Sequence, residues 1–177
     1  MLLTRIRRGL ALAAVVLTLA AASAGAQDQE GPLHVAARNG DAAAIRTLLA
    51  KGASVDARDK DGATPLLVAT HNNRVEAAKA LIDAGADVNA KDRIHDSPYL
   101  YAGARGHNEI LKMTLAHGAD LKSTNRYGGT ALIPAAERGL VETVRLLIDA
   151  GVDLNHVNRL HWTALLEAII LGNGGAA

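Results

Sequence analysis

"DGATPLLVATHNNRVEAAKALIDAGADVNAKD", residues 61–92, reads as two short helices, each with its own start or stop. Thr64 is a good N-cap, because a threonine hydroxyl can accept an amide of the first turn that has no helical partner. Pro65 suits the first helical position, having no amide to leave unpaired. The helix predicted from Pro65 buries Leu66 and Ala69, and so small a residue as Ala69 lets a neighbouring helix come close. A second helix, predicted near Val75 to Ala84, sets Val75, Ala78, Leu81 and Ile82 on one face at helical spacing. Gly85 ends it, since glycine enters the left-handed region at little cost. Neither helix can bury its apolar stripe alone, so the unit requires copies of itself to stack on.

The copies are present. Gly52, Gly85, Gly118 and Gly151 follow one another at intervals of 33 residues, and the same interval links Pro32, Pro65 and Pro98. It also links Leu33, Leu66, Tyr99, Leu132 and Leu165, and again Ala36, Ala69, Ala102, Ala135 and Ala168. No insertion or deletion interrupts the pattern from Asp28 onward. The units are 28–60, 61–93, 94–126, 127–159 and a truncated 160–177, about four and a half in all.

The segments "TPLLVAT", "GPLHVAA" and "AGADVNAKD" resemble the ankyrin repeat, whose 33-residue unit carries the signature TPLHxA. The resemblance covers residues 28–177. It implies an all-α solenoid of stacked helix-turn-helix units with hairpin-like fingers, and a role in protein binding rather than catalysis. His34 falls on the signature histidine, which in this family usually bonds backbone at the turn. Exported bacterial members include proteins associated with oxidative-stress defence.

Residues 1–26 read as a signal peptide. Arg5, Arg7 and Arg8 make a basic start, an apolar run of about 14 residues follows from Gly9 to Ala22, and Ala24-Gly25-Ala26 supplies the small residues a signal peptidase prefers. The run is short of the roughly 20 residues of a membrane-spanning helix. Cleavage after Ala26 would leave one domain, residues 27–177, in the periplasm of a bacterium or secreted, with the membrane involved only through the leader. Such export suits a chain without cysteine, in which no disulfide can form. Loss of the leader takes three arginines from 19 basic residues, leaving 16 against 18 acidic. That balance argues against a nucleic-acid binder, whose footprint is a strong basic excess. With no phenylalanine and one tryptophan, the core must be aliphatic.

Residues 94–107, "IHDSPYLYAGARGH", place a histidine, an aspartate and a serine in a row. In the 33-residue frame Ser97-Pro98 matches Thr64-Pro65, so Ser97 is an N-cap, and His95 and Asp96 belong to the preceding finger. Three consecutive side chains cannot converge as nucleophile, base and orienting carboxylate. Tyr99 takes a core leucine position, and Tyr101 matches Val35 and Val68 on the first helix, partly exposed. The seven histidines form no metal set: His95 and His161 share a finger position two repeats apart, too far for one ion. The tail "GNGGAA" lacks the lysine and following helix of a phosphate loop. The sequence therefore predicts no catalytic residue, metal, cofactor or small-molecule substrate.

Candidate binding residues lie on the fingers. Lys60, Arg93, Arg126 and Arg159 form a basic column, which in ankyrin fingers is often solvated or paired with an acid such as Asp59 or Asp92. Beside it stand Asp61, Ile94, Tyr127 and Leu160, and two residues further on Ala63, Asp96, Gly129 and Trp162. Apolar tips rimmed by arginine resemble an interface centre. The partner-binding set is Arg93, Ile94, Arg126, Tyr127, Arg159, Leu160 and Trp162, with Tyr101 on the first helix. The resemblance adds the inner helix face, here Arg38 and Asn39, His71 and Asn72, Ala104 and Arg105, and Glu137 and Arg138. The basic column suggests an acidic patch on the partner.

Two departures weaken the repeat. Thr114 stands in a column that is Leu48, Leu81 and Leu147 elsewhere, and its hydroxyl could return to a carbonyl one turn back. After "HWTALLEAIILGN" the chain runs into "GGAA", so Ile169, Ile170 and Leu171 lie on a last helix without partner or polar cap. This reads as a truncated repeat. A monomer is expected, and the open C-terminal face is where copies would associate. The function expected is a non-enzymatic interaction module of the bacterial cell envelope with a protein partner. One alternative is an inhibitor or chaperone-like protector of a periplasmic enzyme of the oxidative-stress kind, another a membrane-tethered scaffold with an uncleaved N-terminal helix.

Overall fold

A computed structural model of the chain describes residues 30–170. The signal-peptide reading of residues 1–26, the cleavage after Ala26 and the tail from Leu171 fall outside the described residues. Within 30–170 the regular structure is helical throughout: α1 (Pro32–Asn39), α2 (Ala42–Ala50), α3 (Pro65–His71), α4 (Val75–Asp83), α5 (Pro98–Arg105), α6 (Asn108–Ala116), α7 (Leu132–Glu137), α8 (Val141–Asp149) and α9 (Ala164–Ile170). No helix of the described residues is long and apolar enough to cross a membrane.

The first helices start as the local sequence dictates. Thr64 Oγ1 accepts the Leu67 amide at 3.2 Å, Ser97 Oγ the Leu100 amide at 3.3 Å, and Thr163 Oγ1 the Leu166 amide at 3.3 Å. The α7 start differs. Ala131 replaces the proline, Thr130 is buried with its hydroxyl unpartnered, and the helix begins without a side-chain cap and runs six residues.

Helices α1, α3, α5, α7 and α9 form one layer and α2, α4, α6 and α8 the other, each pair packing internally and against the next. Leu66, Leu67, Leu81, Ile110, Leu111 and Leu147 fill the space between the layers. Ala36, Ala69, Ala102, Ala135 and Ala168, all buried, let the first helices approach one another. Tyr99 is wholly buried at its leucine position. Thr114 is also buried, and its hydroxyl donates to the Leu111 carbonyl at 2.8 Å, so the polar atom inside that layer is satisfied. Burial along the leucine column stops at Leu165, which is 56% exposed: α7 is the only described helix packed extensively on α9. Leu166, Ile169 and Ile170 on the same helix are exposed too.

Polar side chains join successive units. At the starts of α4 and α6, Arg74 and His107 do not cap their own helices but reach back one unit. Arg74 Nε donates to the Arg38 carbonyl at 2.9 Å, and His107 Nδ1 to that of Thr70 at 2.9 Å. His34 Nε2 donates forward, to the Ala63 carbonyl before the α3 cap, at 3.1 Å. That is the turn bond the signature histidine implies.

Candidate functional site

Each finger is built around one Asp or Asn, at 33-residue intervals. Asp59 Oδ1 accepts the amides of Asp61 and Ala63, and Asp92 Oδ1 those of Ile94 and Asp96. Asn125 Oδ1 accepts the amides of Tyr127 and Gly129, and Asn158 Oδ1 those of Leu160 and Trp162. The backbone closes the same loop, from Asp59 N to Ala63 O, Asp92 N to Asp96 O, Asn125 N to Gly129 O and Asn158 N to Trp162 O, at 2.9–3.1 Å. The turn needs a left-handed residue in the middle, and Gly62, His95, Gly128 and His161 occupy it with φ of 77°, 65°, 75° and 63°. The histidine of "IHDSP" is thus a turn residue, and Ser97 two positions on is a cap.

This geometry corrects two expectations about the fingers. Asp59 and Asp92 spend a carboxylate oxygen on their own turns, and the acid that pairs with Lys60 is Asp61, Nζ to Oδ2 at 2.8 Å. The tip column is apolar at Ile94, Tyr127 and Leu160, which are 48%, 56% and 62% exposed. Trp162 does not join it, because the left-handed residue at 161 reverses the chain and returns Trp162, half-buried, to the base of the finger.

Between the fingers and the first helices of the C-terminal half runs a groove of about 580 Å³. Tyr101, Arg126, Tyr127, Leu160 and Trp162, five of the predicted binding residues, line it together. Ala104, Arg105, Glu137 and Arg138 of the inner helix face line it too. Arg93, Ile94 and Arg159 are not among the lining residues. The backbone amide of Arg93 donates to the Asp61 carbonyl at 3.1 Å, and its side-chain stem runs beside Gly62. Arg159 lies over Gly128, with Nη1 donating to the Arg126 carbonyl at 2.9 Å. Successive fingers are thus tied at Arg93 through its backbone and at Arg159 through backbone and guanidinium both.

Aromatic and cationic groups organise the groove. The Arg126 guanidinium sits 4.8 Å from the Tyr127 ring centre and that of Arg105 5.3 Å from the Tyr101 ring, both cation–π distances. Tyr101 also packs on His71 at 4.1 Å and on His107 at 6.0 Å between ring centres. Burial lowers the pKa of both histidines, so their rings favour the neutral form. Asp96, at the finger base, has its pKa raised by burial and then by Asp92. Three acids, Asp96, Glu137 and Glu167, face three arginines, 105, 126 and 138, so the lining has no net charge. Among the described residues no three His, Cys, Asp or Glu side chains gather as a metal site.

Glu167 was missed by sequence reading, although a signal existed. The 33-residue register aligns it with Tyr101 and Pro134, both of which line the groove. It is buried, and burial followed by the Glu137 charge raises its pKa.

Stacked helix pairs with protruding turns and a groove along their inner helices define a repeat-built recognition scaffold. The chain belongs to the ankyrin repeat family: the family model for ankyrin repeats (3 copies) matches residues 6–92 and 99–177. A crystal structure of an ankyrin repeat domain from Acinetobacter baumannii is similar, with 70% identity and a TM-score of 0.79 over 81% of this chain and 73% of that one. No curated protein matches the chain. Ankyrin repeats are protein–protein interaction modules, typically without enzymatic activity.

Proposed function

We propose that this protein is a non-enzymatic binding module of the bacterial cell envelope, holding a partner protein in the groove between its C-terminal fingers and first helices. The observation that carries this reading is the convergence of Tyr101, Tyr127, Leu160 and Trp162 with Arg105 and Arg126 on one concavity. Aromatic residues and arginine are the types that dominate binding energy at interfaces, and here they are already positioned by the fold. The neutral lining favours a partner surface of mixed charge over the acidic patch that the basic column alone suggests. Placement in the envelope rests on the signal-peptide pattern of residues 1–26, and the bacterial setting is supported by the similar Acinetobacter domain.

The test is affinity capture in a bacterial periplasmic extract with the exported protein as bait, beside a Tyr127→Asp, Leu160→Asp double variant. A protein held by the parent and lost by the variant supports the groove. Identical captured sets, from a variant that melts like the parent, reject it. The intact mass of the exported protein reports whether cleavage follows Ala26, and retention of residues 1–26 would favour the tethered scaffold instead.

A further inference from the structure

The groove lining is neutral as a whole but not layer by layer. Its acids lie deep or are engaged: Glu167 is buried, Asp96 is half-buried at the finger base, and exposed Glu137 already has a partner. Its arginines are all exposed, Arg105 and Arg138 at the ends of α5 and α7 and Arg126 on the finger side. A segment entering from solvent therefore meets guanidinium groups first. Two of these are held in place by rings, Arg105 at 5.3 Å from the Tyr101 centre and Arg126 at 4.8 Å from that of Tyr127. A ring covers one face of a guanidinium and leaves the N–H fork at its edge able to bind a carboxylate. Both groups act on Asp96, so they converge on one end of the groove. Asp96 is not a close counter-ion for either. Burial and then Asp92 hold its pKa above the ordinary value, where a tight pair with arginine would pull it down.

From this arrangement we infer that the groove accepts a protein segment with one aspartate or glutamate beside an apolar side chain. The carboxylate sits between Arg105 and Arg126, and the apolar group lies against Trp162 and Leu160. This selectivity presupposes the groove as the binding site and specifies the chemistry of what enters it. A run of acids is disfavoured, because Asp96, Glu137 and Glu167 belong to the same lining. A single carboxylate is favoured, because side chains already ordered on their rings lose little freedom in binding it. The apolar neighbour supplies area, and the carboxylate selects the segment.

The probe is a library of random twelve-residue peptides displayed on phage and selected on the full chain, with the Tyr127→Asp, Leu160→Asp variant as control for the groove. The parent should enrich peptides with one acidic residue next to an aliphatic or aromatic one. A synthetic copy of the best peptide should bind Arg105→Gln and Arg126→Gln each about tenfold or more weakly, and changing its acid to the amide should cost the parent a similar factor. The same change should cost each variant less than it costs the parent, since one partner of the pair is already gone. Both arginines are exposed, and equal melting of parent and variants checks that the fold is kept. Peptides without an acid, binding indifferent to either arginine, or an equal cost of the amide in parent and variants overturns the inference, while loss of the same peptides on the tip variant still leaves the groove as the site. If selection on the parent yields nothing that the tip variant loses, both the inference and the groove are wrong.

Discussion

Gly103 and Ala131 meet where α5 runs closest to the start of α7: a methyl group on Gly103 would stand 2.8 Å from the Ala131 Cβ. Both residues depart from the repeat. Gly103 replaces Ala37, Thr70 and Ala136, and Ala131 replaces Pro65 and Pro98. The glycine is needed here for space and not for a special backbone angle. Gly103→Ala should gain about 1 kcal/mol of helix propensity and lose about 1–3 kcal/mol to overpacking, for a net loss of up to about 2 kcal/mol. Adding Ala131→Gly should recover more than additivity allows. Urea unfolding of the four combinations measures the coupling, and additive effects would show that the two residues do not press on each other.

The finger turns predict a second pattern. Asn125 and Asn158 do the same work as Asp92, accepting two amides through one oxygen. Asp92→Asn should therefore change stability by less than about 0.5 kcal/mol, whereas Asp92→Ala should cost about 1–2 kcal/mol by stranding both amides. Because Asp92 is the second cause of the raised Asp96 pKa, Asp92→Asn should also bring the Asp96 carboxyl down toward its ordinary 3.8. Denaturant midpoints and carbonyl-detected NMR titration read the two effects.

Residue type and spacing made the helices legible because their starts are local: Thr64, Ser97 and the following prolines act within one turn. The fingers were legible only as columns. What each column does depends on the reversal at residues 62, 95, 128 and 161, and a histidine at two of these positions disguises a site where glycine is the easier occupant. Trp162 was therefore read as a tip residue. Nothing local says that the stems of Arg93 and Arg159 lie beside the glycine of the preceding finger, outside the groove lining. Glu167 was passed over because an acid on a first helix is ordinarily solvated. Its burial comes from the stacking of α9 on α7, a relation between units that a single repeat does not display.

Tyr99 supplies a prediction about the core. It occupies the position of Leu66 and Leu132, fully buried, and its hydroxyl has no hydrogen-bond partner. Burial raises its pKa, so the phenol stays neutral. Tyr99→Phe keeps the ring and removes the unpartnered group, and should stabilise the protein by about 1 kcal/mol. Tyr99→Leu restores the repeat residue but leaves the space of a ring, and should be less stable than Tyr99→Phe. A loss of stability in Tyr99→Phe would reveal a partner for the hydroxyl in solution.

Glu167 should make stability depend on pH in a particular direction. Its folded pKa stands above the ordinary 4.5, because burial and Glu137 both disfavour the charged form. Between 4.5 and the folded value the native state binds more protons than the unfolded one, so stability from this group is complete below 4.5 and is lost as pH rises through the folded pKa. Asp96, also raised, acts in the same direction, and His71, lowered by burial, in the opposite one above its own folded value. Both are present in parent and variant, so the difference between the two melting curves isolates Glu167. Glu167→Gln should melt higher than the parent at pH 7, with the advantage shrinking toward pH 4. Equal melting temperatures across that range would mean that the carboxylate is already compensated in the folded protein.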